Sequence, residues 1–121
     1  MEKMKSYKEL EAWKKSKDLV IGIYSITKNF PKDELYGITS QIRRAAVSIP
    51  SNIAEGHGRN HSKETIQYLH ISRGSLFEVE TLLILSHELG YLKVEEAEIK
   101  LANVTECIKI INGLISYFEK K

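Results

Sequence analysis

Along the chain, apolar side chains return every three or four residues in four successive blocks, the spacing that places them on one face of a helix. The clearest block is the last, from about Val94 to Glu119. There Ala97, Leu101, Val104, Ile108, Ile111, Ile115 and Phe118 alternate steps of four and three, the mark of a bundle seam. Cys107, Ile110, Leu114 and Tyr117 form a second apolar stripe beside it. The first block, about Lys8 to Asn29, carries Leu10, Trp13, Val20, Ile23 and Thr27 and is closed by Phe30-Pro31. The second opens on Asp33 and Glu34, carboxylates that suit the positive end of a helix dipole, and runs to about Glu55 with Ile42, Ala45, Ala46, Ile49 and Ile53 inward. Pro50 lacks an N–H and crowds the preceding turn, yet the apolar stripe holds its phase through Ile53, so a kink is predicted there. Gly56 and Gly58 are expected to stop this helix by taking positive φ. The third block starts with Ser62 as N-cap and Glu64 in the first turn, and reaches Leu89 before Gly90. Tyr91 and Leu92 are placed to pack back over that glycine-terminated end.

Four helices joined by short connections predict an all-α fold, an antiparallel up-down-up-down four-helix bundle with helix two kinked at its proline. A chain of 121 residues has room for one such core, and no linker, repeat or low-complexity segment divides residues 1–121. Leu82, Leu83, Ile84 and Leu85 are consecutive and point all round the third helix, and the fourth carries more apolar surface than one seam uses. That excess predicts a subunit interface through Leu82, Leu85, Ile110, Leu114 and Tyr117, because monomers seldom expose large apolar patches. No apolar run approaches the roughly 18 to 20 residues that span a bilayer, and the opening MEKMKS leads into no apolar segment. A soluble cytoplasmic protein with no membrane partner is expected.

Charge alters this picture modestly. The net charge is +2, but residues 1–73 carry +5 and residues 74–121 carry −3, and all four arginines lie in the first part. A nucleic-acid binder usually shows a strongly basic patch, which several such halves gathered in an oligomer would supply better than one. Arg43, Arg59, Lys63 and Arg73, with Lys14 and Lys15 of helix one, are the candidate phosphate-contacting side chains. For the lysines the competing reading is a solvated helix face. Helix two also bears a polar stripe of Gln41, Arg44, Ser48, Asn52 and Glu55. Arg44, Asn52 and Glu55 are expected to meet Glu78 or Glu80 of helix three in a network that fixes helix register, with Arg44 the most structural of the arginines. His57 and His61 are four apart but lack a third ligand, and no Glu-x-x-His pair occurs, so no metal and no cofactor are predicted. Cys107 sits in an apolar helical pattern and reads as a small buried hydrophobe. No grouping of serine, histidine and carboxylate is recognisable, and Gly56-His57-Gly58 follows a helix rather than a strand, so the chain reads as no enzyme.

The stretch Gln41 to Arg59, QIRRAAVSIPSNIAEGHGR, is the one segment that generic helix-making does not explain. Together with Phe30-Pro31 and Tyr36-Gly37 before it, and Gly74-Ser75-Leu76, Glu78 and Glu80 after it, it resembles the four-helix family of 23S ribosomal RNA intervening-sequence proteins. The resemblance implies a small bacterial protein that assembles into a ring-like homopentamer. Some members of that family are encoded in insertions within 23S ribosomal RNA genes. A related branch serves as the accessory protein of diversity-generating retroelements, where it binds nucleic acid and contacts the reverse transcriptase. The partners so implied are further copies of the chain, RNA or DNA, and a reverse transcriptase. The expected function is therefore a non-enzymatic oligomeric binding or scaffold protein, with docking of a protein partner alone as the alternative.

Overall fold

The computed structural model describes residues 6–121, which form four α-helices: α1, Glu11–Thr27; α2, Ile38–His57; α3, Ser62–Glu88; and α4, Val94–Glu119. Short 3-10 turns at Tyr7–Glu9 and Lys32–Glu34 precede α1 and α2, and no strand occurs among the described residues. The helices pack as a four-helix bundle in which each contacts two neighbours, α4 closing back on α1. Hydrogen bonds fix the relative course of α2 and α3. Thr65 Oγ1 donates to the Gly56 carbonyl at 2.9 Å, Ser72 Oγ to the Ile49 carbonyl at 2.9 Å, and Ser75 Oγ to Ser48 Oγ at 2.9 Å. These partners descend along α2 as they rise along α3.

The core takes in every predicted inward position of α2 but only part of the predicted first and last stripes: Leu10, Trp13, Val20, Leu101, Ile108 and Phe118 are half-buried against it, and Cys107, expected on the second stripe of the last helix, lies inside it. Ile42, Ala45, Ala46, Ile49 and Ile53 of α2 meet Leu69, Leu76, Val79, Leu82 and Leu83 of α3 and Ala97, Val104, Cys107, Ile111 and Ile115 of α4. From α1 the contribution is Ala12, Leu19 and Ile23, with Ser16 and Thr27 buried on the same stripe. Both hydroxyls there bond back to their own helix, Ser16 to the Trp13 carbonyl at 3.1 Å and Thr27 to the Ile23 carbonyl at 2.7 Å. A polar side chain can lie in this core because its hydrogen bond is made locally.

Several boundaries differ from the expectation, each for a local reason. Helix one begins at Glu11 instead of Lys8, because Ser6 Oγ accepts from the Lys8 N–H to start a 3-10 turn and Leu10 is extended at ψ 131°. The carboxylates at 33 and 34 precede helix two and lie in their own 3-10 turn. Glu34 still serves the helix, since its Oε1 accepts from the Ile38 N–H at 3.2 Å. Pro50 lies inside α2, which continues to His57, so the chain tolerates the missing donor without ending the helix there. Neither Gly56 nor Gly58 takes positive φ, and Gly56 is helical and buried. Its value is closeness: a Cβ there would meet Tyr68 Cβ at 2.8 Å and the Thr65 carbonyl oxygen at 3.3 Å. His61, not Ser62, occupies the N-cap of α3.

Gly90 does end α3 as predicted, with φ +83°. The Tyr91 N–H reaches the Ser86 carbonyl and the Gly90 N–H the His87 carbonyl, both at 2.9 Å, the two bonds of a Schellman motif. Leu92 is then buried, and Tyr91 packs on Phe30 with ring centroids 5.7 Å apart. The Tyr91 hydroxyl donates to Glu34 Oε2 at 2.8 Å. The α3–α4 connection thus clasps the α1–α2 connection.

Candidate phosphate-contacting and interaction surfaces

Three of the four arginines are held by neutral groups. Arg43 leaves α2 toward α1, where its guanidinium lies 4.6 Å from the Tyr24 ring centroid and its Nε donates to Thr27 Oγ1 at 2.9 Å. Arg73 on α3 reaches across to α4, donating to Asn112 Oδ1 at 2.7 Å, and its other terminal nitrogen lies 2.8 Å from His70 Nδ1. Arg59, beyond the end of α2, stacks on Tyr68 at 4.9 Å and donates to its hydroxyl at 2.7 Å. It alone also has an acidic partner, Glu55 at 3.5 Å, and that pair is solvent-exposed and so weakly neutralising. Among the described residues no carboxylate lies within salt-bridge distance of Arg43, Arg44 or Arg73. Arginine stacked on an aromatic ring keeps its charge and loses conformational freedom in advance.

The basic candidates do not form one patch. Trp13 and Lys17 line a groove with Pro50 and Ala54, so the start of α1 lies beside the end of α2. Lys14 and Lys15 therefore share one end of the bundle with Arg59 and Lys63. Arg43 belongs to the other end, about 24 Å away along α2 by helix rise. Lys14 and Lys63 are exposed, whereas Lys15 pairs with Glu106 at 3.6 Å.

The register network expected between Arg44 and Glu78 or Glu80 does not form within the chain. Arg44 and Glu78 are exposed, and among the described residues neither they nor Glu80 enter a salt bridge or side-chain hydrogen bond. Uncharged groups fill that role instead. Asn52 Nδ2 donates to the Ser48 carbonyl at 2.9 Å and to Ser48 Oγ at 3.0 Å, and Ser48 in turn receives Ser75. Glu55 turns away to Arg59. Hydroxyls and amides cost less to desolvate than ions, which is why they sit between close helices where the charged stripe does not.

The apolar excess divides in the same way. Leu82 is 5% exposed and belongs to the chain's own core, so it cannot serve a subunit contact, whereas Leu85 is 45% and Tyr117 44% exposed. Ile110 and Leu114 are half-buried against the core. Outward apolar side chains that the helical pattern did not single out include Phe77 on α3, Leu89 at its C-cap, Ile99 on α4, and Ile21 and Val47 on α1 and α2. Their braces and neighbours were also missed: nothing in spacing joins Arg43 to Tyr24 or Arg73 to Asn112, because those pairs are set by helix packing.

Among the described residues no group of three or more His, Cys, Asp or Glu could hold a metal, and no helix is long and apolar enough to cross a membrane. Cys107 is buried, and burial first, then the neighbouring Glu106 carboxylate, push its thiol up to about 11. It is a packing residue with little thiolate character.

A family model described as 23S rRNA-intervening sequence protein matches residues 8–113. Among solved structures, a protein of unknown function from the S23 ribosomal protein family of Bacteroides thetaiotaomicron matches with a TM-score of 0.78 at 25% identity. The match covers 86% of this chain and 97% of that one. No curated protein matches the chain.

Proposed function

The chain belongs to the 23S rRNA-intervening sequence protein family, and on that premise we propose that it is a non-catalytic scaffold that assembles with copies of itself and holds RNA or DNA by backbone phosphates. The observation that carries this reading is the way its arginines are held. Tyr24 and Thr27 orient Arg43, Tyr68 orients Arg59, and Asn112 orients Arg73, all without neutralising charge. Such side chains have less freedom to lose on meeting a phosphate. One protomer offers these groups at separated places, and assembly into a ring, five copies by likeness to the family, multiplies them into a surface. Contacts of this kind position a backbone and read no bases.

The test is a titration of structured RNA and duplex DNA at low and near-physiological salt. Affinity should fall steeply with salt, and the salt slope should flatten by about one for each charge removed in Arg59→Ala and Lys63→Ala. Absence of binding at low salt would overturn the phosphate reading. The outward apolar side chains of α3 and α4 would then favour a scaffold whose partner is a protein, such as a retroelement reverse transcriptase.

A further inference from the structure

Where the end of α1 meets the first turns of α2, an open cavity of about 370 Å³ has Tyr24, Leu35 and Val47 for apolar walls and Thr39, Ser40, Arg43 and Arg44 for its polar groups, the Ser40 hydroxyl being spent on the Gly37 carbonyl at 3.1 Å. Thr39 is 4% exposed, and its Oγ1 is a buried hydroxyl with no partner among the described residues. Native structures leave few such groups unpaired, since a buried donor without an acceptor is costly. On the same wall Arg43 commits only Nε, to Thr27, and neither its terminal nitrogens nor any nitrogen of Arg44 has a hydrogen-bond or salt-bridge partner among the described residues. Glu34, the carboxylate before α2, is occupied on both oxygens by the Ile38 N–H and the Tyr91 hydroxyl. Two guanidinium groups without an acidic partner and an unpartnered hydroxyl therefore border one cavity beside the first turns of α2, whose N-terminus Glu34 caps.

We propose that this corner is a seat for a terminal phosphate group, held by Arg43, Arg44 and the Thr39 hydroxyl, with the body that bears it against Leu35 and Val47. A phosphomonoester carries about −1.5 to −2 at neutral pH, which two guanidinium charges match. An internal diester carries a single charge and continues in both directions, which suits an open surface better than a concavity. The seat rests on the phosphate-binding reading above and sharpens it: internal phosphates lie on the scattered arginines and lysines, and a strand end or a free mononucleotide lies in the corner.

Two RNA oligomers of one sequence, labelled at the 3′ end, with a 5′-phosphate and with a 5′-hydroxyl, separate the possibilities. The 5′-phosphate oligomer should bind about tenfold more tightly, the effect of one charge-assisted hydrogen-bond set. Thr39→Val, which keeps the side-chain shape, and Arg44→Gln, at an exposed position, should each abolish that preference while leaving the 5′-hydroxyl affinity unchanged. Equal affinity of the two oligomers, or a preference that survives both substitutions, overturns the seat while the general phosphate reading stands. If neither oligomer binds, the general reading falls, and the seat is judged by NMR with AMP and adenosine. Shifts at Thr39 and Val47 with AMP alone support it, and identical spectra with both ligands overturn it. Thermal melts of both variants guard against loss of fold.

Discussion

At the scale of single residues, Gly56 shows most directly how α2 and α3 come close. The helix does not need it for its conformation, since its φ is ordinary; the neighbouring Tyr68 and Thr65 need the missing side chain. Gly56→Ala gains helix propensity, up to about 1 kcal/mol, but forces the two helices apart at a buried contact, where overpacking costs about 1–3 kcal/mol. The net expectation is a loss of stability of up to about 2 kcal/mol. The same substitution at Gly74 or Gly113, which have open space at the Cβ position, should stabilise by about 0.5–1 kcal/mol. Urea midpoints of the three variants check the sign, and a Gly56→Ala protein as stable as the other two would remove the close-approach reading. In the sequence this glycine reads as a stop signal, because a glycine near a helix end and a glycine at a helix crossing look the same without the partner helix.

Among the elements, helix existence and facing follow from apolar spacing alone, because burial selects one face at a fixed period. The inward stripe of α2 is the predicted one, whereas α4 buries Ala97, Val104, Ile111 and Ile115 of its predicted seam together with Cys107 of the neighbouring stripe and leaves Leu101, Ile108 and Phe118 half-buried. Starts are less legible. Glu34 caps α2 from outside it, reaching forward across Gly37, so its charge announces a helix four residues early. The same carboxylate holds the Tyr91 hydroxyl, and that bond, then burial, then the carboxylate's charge, raise the phenol above its ordinary value of 10.0. The folded state thus keeps the proton longer than the unfolded chain does. The clasp's contribution is complete below the unfolded value and is lost as pH rises through the folded one. Stability measured from pH 8 to 11 should therefore fall more above about pH 10 in the wild type than in Tyr91→Phe, which keeps the ring on Phe30 but has no proton to lose. Parallel curves would show that the bond contributes nothing.

For the molecule as a whole, the proposed assembly would draw on the outward apolar side chains. Leu85→Glu, changed at a position the protomer leaves exposed, should lower the mass measured by light scattering while preserving helix content. Leu82→Glu, one turn earlier in sequence order but inside the core, should unfold the chain. A wild-type mass equal to one chain would overturn the proposed assembly, and an oligomeric mass unchanged by Leu85→Glu would exclude Leu85 from its contact. Leu114 is a poorer probe, being half-buried against the core, so a charge there disturbs packing and assembly together. The candidate site was legible only as residue types: all four arginines stand out in the sequence, but the groups that brace Arg43, Arg59 and Arg73 from other helices do not. Thr39 gave no signal, since a lone threonine at a helix start usually finds a local bond.

The clasp between Glu34 and Tyr91 joins residues 57 positions apart. Closing so long a loop costs entropy that local helix pairing does not, so α1 and α2 can associate before it forms. The clasp is therefore expected to close late, once α3 and α4 have docked, and to fix the Glu34 cap on the first turn of α2 only then. A chain emerging from synthesis would carry the charges of the corner well before it could hold anything there, and the proposed seat, once able to bind, would report that the whole bundle is built.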